Sequence, residues 1–215
     1  MGTAWTVHAQ ENDLFASVNG TRPFNGGGSI FQYAPNGTPS TFACRLDRPR
    51  GIAFDSAANL YVATSFLDDS GISQGTIFKI TPGGLMSTFA TGFGAERSPS
   101  PINFFLEGLA LDSAGNVFVA DQDQTAPNFT YPTTIYKVTP GGTVITFASG
   151  LAKGYGLAFD SAGNLFAAST NTDQTIYQFT PGETIFVTGP TVFSPDQGAH
   201  RPGFRQLRQS FRVHL

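Results

Sequence analysis

Three residues of this chain stand directly before a glycine that opens an apolar strand: Arg50-Gly51, Glu107-Gly108 and Tyr155-Gly156. A guanidinium, a carboxylate and a phenol set at equivalent points of one fold can stabilise an anion, move a proton or hydrogen-bond a polar ligand. Glu107 also offers oxygens to a divalent cation, and Asp121-Gln-Asp123 has the makings of a half-site for Ca²⁺. Neither is complete as it stands. Such a cation wants several converging oxygens, Asp121 and Asp123 lack the fuller Asp/Asn ladder of a metal loop, and a guanidinium at Arg50 would repel a cation. The plainer readings are Glu107 paired to a nearby arginine, and Asp121 and Asp123 as solvated loop acids.

Other reactive side chains are accounted for more simply. Asp55, Asp112 and Asp160 each open an Asp-Ser-Ala-(Ala/Gly)-Asn turn, where an Asp hydrogen-bonds its own backbone, so they read as turn formers. His8, His200 and His214 are scattered, and no Ser/His/Asp arrangement can be assembled. There is no phosphate loop. The single Cys44 leaves no internal disulfide and reads as a small buried hydrophobe.

The elements that must position these residues are repeats. Gly51-Ile-Ala-Phe-Asp-Ser-Ala-Ala-Asn59, Gly108-Leu-Ala-Leu-Asp-Ser-Ala-Gly-Asn116 and Gly156-Leu-Ala-Phe-Asp-Ser-Ala-Gly-Asn164 are nearly one passage. Each runs on into an aromatic strand, at Leu60–Thr64, Val117–Asp121 and Leu165–Ser169. A third strand follows in every unit (Ser29–Tyr33, Thr76–Ile80, Thr134–Val138, Thr175–Phe179), then a Pro-Gly-type turn and a fourth strand. The fourth strands are Pro39–Ala43, Met86–Ala90, Val144–Ala148 and Thr184–Val187. Taking Asn12, Asn59, Asn116 and Asn164 as equivalent gives spacings of 47, 57 and 48 residues and four units, the first degenerate at Ala4–His8. β-Branched and aromatic runs between turn residues mark strands. Four of them per unit, joined by tight turns, describe the blade of a β-propeller.

Strand direction alternates, so the turns after strands one and three share one face and all the length variation falls on the other. On that second face lie the loops at 64–75, 121–133 and 168–175 and the connections at 43–50, 90–107 and 149–155. Insertions confined to one face mark the binding face of a repeat protein. Arg50, Glu107 and Tyr155 lie there, at the mouth of a central channel.

The wording of the repeat, over residues 4–189, resembles NHL-repeat propellers of bacteria and the wider six-bladed superfamily that includes gluconolactonase and regucalcin. The resemblance implies an all-β propeller, and at this channel position it implies metal-binding Glu and Asn residues before a glycine. Glu107-Gly108 matches that feature; Arg50 and Tyr155 depart from it. The blades are expected at about 4–43, 51–90, 108–148 and 156–189, with residues 190–215 outside the repeat.

Composition sets the remaining bounds. With 21 Phe and 13% charged residues the chain has ample core material, and its 25 Gly and 14 Pro suit many tight turns. A net charge of −3 argues against a nucleic-acid surface, and no apolar run approaches the length of a membrane span. No signal peptide is read at Met1, although low Lys and high Asn, Thr and Ser favour an extracytoplasmic setting. Asn19, Asn36 and Asn128 open glycosylation triplets that are common by chance. The tail carries Arg201, Arg205, Arg208 and Arg212 and no acid, a charge of +4 against −7 for residues 1–200. Its codons, read one base later, permit Gly-Leu-Ala-Phe-Asp-Ser-Ser-Gly-Asn-Leu-Phe-Val-Ser-Thr, the opening of a fifth blade; a frameshift in a longer propeller is the expectation.

Together these readings favour a non-catalytic propeller module that binds a protein, glycan or small molecule through Arg50, Glu107, Tyr155, Asp121 and Asp123. It would carry no cofactor, form an open arc rather than a tight ring, and self-associate through its open blade edges. The alternatives are a lactonase-like hydrolase using Ca²⁺ or another divalent cation, and a vestigial fragment.

Overall fold

Each expected turn is closed by its own side chains. The Asp55 carboxylate accepts hydrogen bonds from the backbone N–H groups of Ala57 (3.0 Å) and Asn59 (2.8 Å) and from the Asn59 amide. Asp112 and Asp160 repeat the arrangement with Ala114 and Asn116 and with Ala162 and Asn164. Three copies of one turn, each satisfied within five residues, set three strand pairs through local contacts alone.

The protein is seen in a computed structural model that describes residues 4–10, 13–20, 27–67, 73–93, 104–123, 132–151, 153–169 and 176–181. These form an all-β propeller of fifteen strands in four antiparallel sheets, each strand paired with its neighbours in sequence. The first sheet holds β1 (Ala4–Gln10), β2 (Asp13–Val18), β3 (Gly28–Tyr33) and β4 (Pro39–Leu46). The second holds β5 (Ile52–Phe54), β6 (Leu60–Leu67), β7 (Ser73–Ile80) and β8 (Met86–Phe93). The third holds β9 (Phe104–Leu111), β10 (Val117–Asp123), β11 (Thr133–Val138) and β12 (Val144–Leu151). In the fourth, β13 (Gly154–Phe159), β14 (Leu165–Ser169) and β15 (Ile176–Phe179) are described. The strand expected at Thr184–Val187 and the tail at 190–215 lie outside the described residues.

Two expectations are corrected. The first unit aligns one residue later than its asparagine suggests: Leu14 pairs with Tyr33 as Leu60 pairs with Ile80, so Asp13, not Asn12, closes the first turn. Gln10 pairs with Asp13 where Phe54 pairs with Leu60, and pairing register, not residue type, decides equivalence. Cys44 is exposed, because it lies on β4, the edge strand of the first sheet, most of whose side chains are exposed.

The core lies between the sheets, in three layers. Phe15, Ile30 and Leu46 meet Ile52, Leu60, Val62 and Ile80 between the first and second sheets. Tyr61, Ala63, Ile77 and Phe93 meet Leu106, Leu109, Val117 and Val119 between the second and third. Ala110, Phe118 and Ile135 meet Leu165, Ala167 and Phe179 between the third and fourth. Edge-to-face rings bridge each layer: Phe15–Phe54 at 4.9 Å, Phe93–Tyr136 at 5.6 Å and Phe118–Phe159 at 5.1 Å. Among the described residues the packing runs in series, with no comparable contact of the fourth sheet on the first.

Candidate functional site

Gly51, just ahead of β5, brings the second and third sheets together at the loop-bearing end. A Cβ on Gly51 would lie 2.3 Å from the Glu107 carbonyl oxygen and 2.7 Å from the Leu109 nitrogen. The bare backbone of the second sheet therefore rests directly on β9 of the third. Arg50 precedes that glycine and Glu107 sits in β9, so the contact sets the two side chains face to face.

Arg50 Nη1 donates to Glu107 Oε1, an ion pair in which the glutamate side chain is 3% exposed and the arginine 12%. Burial pushes the Glu107 carboxyl above its ordinary value of 4.5, and the charges of Arg50 and, less strongly, Lys153 pull it part of the way back. The backbone around the arginine is held on both sides: Arg50 N donates to Ala63 O at 3.0 Å, and Arg50 O accepts from Ser17 Oγ at 2.6 Å. Its guanidinium lies over the Phe105 ring, 4.4 Å from the centroid, and the Arg48 guanidinium lies over the same ring at 5.2 Å.

Asp121 enters from β10, where it pairs with Leu106, the neighbour of Glu107, next to an irregularity in the β9–β10 register. Its side chain and that of Gln122 are fully buried, which corrects the expectation of a solvated loop acid: the residue belongs to the strand, not to the loop. Asp123 closes β10 half-buried, its N–H donating to Pro132 O at 2.9 Å. Tyr155 lies on β13, and its side chain is outside the described set. Of the five residues singled out in the sequence, Arg50 and Glu107 are in contact and Asp121 is on the adjoining strand.

Phe105, Arg48 and Gln122 were not foreseen. The signal for the first two was present in Arg48-Pro-Arg50 and in Phe104-Phe105 ahead of Leu-Glu-Gly, but a stacking partner fifty-odd residues away has no local periodicity. A cavity of about 170 Å³, lined by Asp13, Phe15, Gln32, Phe42, Phe54, Ala58 and Pro82, opens instead at the face of the short turns. It is lined by core aromatics and turn residues and holds no acid–base pair.

The described residues alone do not make a divalent-cation site. The Glu107 carboxylate already meets a guanidinium, which supplies the positive charge that a bound ion would bring. Among the described residues no three His, Cys, Asp or Glu side chains gather, whereas Ca²⁺ takes six to eight oxygens. Nor, among the described residues, is any helix long and apolar enough to cross a membrane.

No family model and no curated protein matches the sequence. Solved structures do match in shape. The gluconolactonase of Xanthomonas campestris superposes with a TM-score of 0.59 at 14% identity, covering 82% of this chain and 58% of that one. A glucose dehydrogenase matches with a TM-score of 0.61 at 12% identity (84% and 61%), and a luciferin-regenerating enzyme with 0.57 at 13% (89% and 65%). The chain thus spans about three-fifths of the length of the structures it matches. The expectation of a non-catalytic module is contradicted by these likenesses: proteins sharing the fold are named gluconolactonase and glucose dehydrogenase, which points to the enzyme-like alternative instead. Repeat regularity had argued for a binder because it describes the scaffold, and a scaffold is silent about what its mouth carries. The shared fold is that of a β-propeller.

Proposed function

We propose that the chain carries the reactive centre of a lactone hydrolase acting on small hydroxylated lactones of the sugar-lactone class. The observation behind this reading is the buried Arg50–Glu107 pair, held between two sheets at the loop-bearing end of a fold shared with a protein named gluconolactonase. Hydrolysis needs a base for water and a cation for the carbonyl oxygen. The Glu107 carboxylate takes a proton from a water that attacks the lactone carbonyl carbon, and the Arg50 guanidinium offers N–H groups to the oxygen as it becomes an anion. The tetrahedral adduct collapses with rupture of the ring C–O bond. Glu107, now a carboxylic acid, returns the proton to the departing ring oxygen, and the product is a hydroxy acid. No step passes through a metal, since the described donor set does not fit one.

The pair suits this exchange. A carboxyl lifted above 4.5 by burial accepts a proton more readily than a solvated one, and Arg50 keeps it ionised near neutrality. Turnover of gluconolactone, followed by pH-stat with a chelator present, tests the reading. Glu107→Gln should lower kcat by about 10²–10⁴-fold with the fold retained by circular dichroism. The acid limb of kcat/KM should lie above pH 4.5. Absence of turnover in the unaltered protein, or an undiminished rate in the folded variant, would remove this assignment.

A further inference from the structure

At each boundary between sheets, the end bearing the short turns carries the same set of rings, and pairing register shows what stands beside them. Phe15, Tyr61 and Phe118 are equivalent on the second strands and pair with Gln32, Lys79 and Lys137 on the third. The fourth strands add Phe42, Phe89 and Phe147. The ring geometry is nearly constant. Phe15 meets Phe42 edge to face at 5.2 Å, Tyr61 meets Phe89 at 5.0 Å, and Phe118 meets Phe147 at 5.1 Å. From the following sheet Phe54 reaches Phe15 at 4.9 Å, as Phe159 reaches Phe118 at 5.1 Å.

What lies on the rings differs. Lys79 Nζ stands 5.2 Å from the Tyr61 centroid and 3.4 Å from Asp55 Oδ2, and Lys137 Nζ stands 5.6 Å from the Phe118 centroid. Each ammonium is within the distance at which a ring face attracts a cation. At the first boundary glutamine takes the place of the lysine. The shorter, uncharged Gln32 side chain turns Nε2 to Asp13 Oδ2, at 2.6 Å. A cavity of about 170 Å³ lies between Asp13, Phe15, Gln32, Phe42 and Phe54. This boundary keeps the ring and a carboxylate but puts no lysine beside them.

We propose that the cavity binds an alkylammonium group, the end of a lysine side chain or of a small primary amine, over Phe15 and against Asp13. The occupant is argued from the chain itself, which places its own lysine ammonium on the equivalent ring at both later boundaries. A carboxylate accepts several hydrogen bonds, so the bond from Gln32 leaves Asp13 able to accept another from an ammonium. Such a charge-assisted bond is about twice as strong as a neutral one. Phe42 and Phe54 offer apolar surface to the alkyl stem. A neutral alcohol of the same length would forfeit both the ring and the carboxylate. The site lies at the end of the sheets away from Arg50 and Glu107, so it stands apart from the proposed hydrolysis.

Titration of the full chain with n-butylammonium, followed by amide NMR spectra, tests the assignment. The signals of Phe15, Gln32 and Phe54 should move saturably, and n-butanol should leave them in place. Asp13→Asn should weaken binding about tenfold. Gln32→Lys should abolish it and raise the melting temperature, because the chain then supplies the ammonium itself. Both variants are checked for folding by circular dichroism. Tighter binding of Nα-acetyl-lysine methylamide than of n-butylammonium would make a polypeptide lysine the ligand, and no gain would make it a free amine. Absence of saturable shifts with n-butylammonium would overturn the proposal. Equal shifts with n-butanol would reduce the cavity to an apolar void, and unchanged affinity in both folded variants would put the amine elsewhere; either result overturns it too.

Discussion

At Ala58 the backbone takes a left-handed turn, φ 64°, where the two later repeats place Gly115 (78°) and Gly163 (82°). Arg45, φ 62°, likewise stands where the register of β4, β8 and β12 puts Gly92 and Gly150. A side chain costs roughly 1–2 kcal/mol in this conformation, less what glycine loses through a freer unfolded chain. Ala58→Gly and Arg45→Gly are each expected to stabilise by about 0.5–1 kcal/mol in urea titration. The acids titrate with opposite consequences. Burial pushes the Asp55 carboxyl up, but hydrogen bonds from Asn59 and Ala57 and the charge of Lys79 outweigh it, leaving it below 3.8. Its contribution is therefore present above pH 3.8 and fades as pH falls through the lowered value. Asp55→Ala should cost about 1–2 kcal/mol at neutral pH and progressively less under acid. Glu107, raised above 4.5, behaves the other way: the cost of its ionisation sets in as pH rises past 4.5 and is complete once pH passes the raised value. Arg50→Ala strips the buried carboxylate of its counter-charge and should cost about 3–5 kcal/mol at pH 7, but less near pH 4.5 where Glu107 can be protonated.

Among the elements, the first strand of each sheet does the most, since it pairs within its own sheet and packs on the one before. β9 touches β5, β6 and β7 as well as β13, and Ser65 Oγ accepts from Leu106 N at 2.9 Å across the same boundary. Gly51 makes that approach possible, because backbone and not a side-chain tip lies where its Cβ would go. Gly51→Ala should destabilise by about 1–3 kcal/mol by forcing the second and third sheets apart, and should depress lactone turnover by separating Arg50 from Glu107. The equivalent Gly156→Ala, measured by denaturant melts at concentrations where the chain is monomeric, should cost little. Equal costs for the two would mean that the fourth sheet is covered in the monomer.

For the whole molecule, packing in series predicts graded stability. Among the described residues, the second and third sheets are packed on both faces by neighbouring sheets, the first and fourth on one. In a repeat array stability is a sum over nearest-neighbour contacts, so native-state hydrogen exchange should find β6 and β10 slowest and β14 and β15 fastest. Uniform protection would show that the chain opens as a single unit.

The repeats, their turns and the propeller class were legible because each is written locally: an Asp bonded to the backbone two and four residues on, a glycine where φ is positive, alternation along a strand. Which residues share the loop-bearing end was legible too, since chain direction alone puts Arg50, Glu107 and Asp121 on one face. What the tertiary structure decided is who meets whom. That Glu107 faces Arg50, that Arg48 and Arg50 share Phe105, and that Asp121 is sealed within a strand all depend on two sheets closing to backbone contact at Gly51. Such contacts link residues 41 to 57 positions apart, and no local rule of turns or periodicity reaches across that distance.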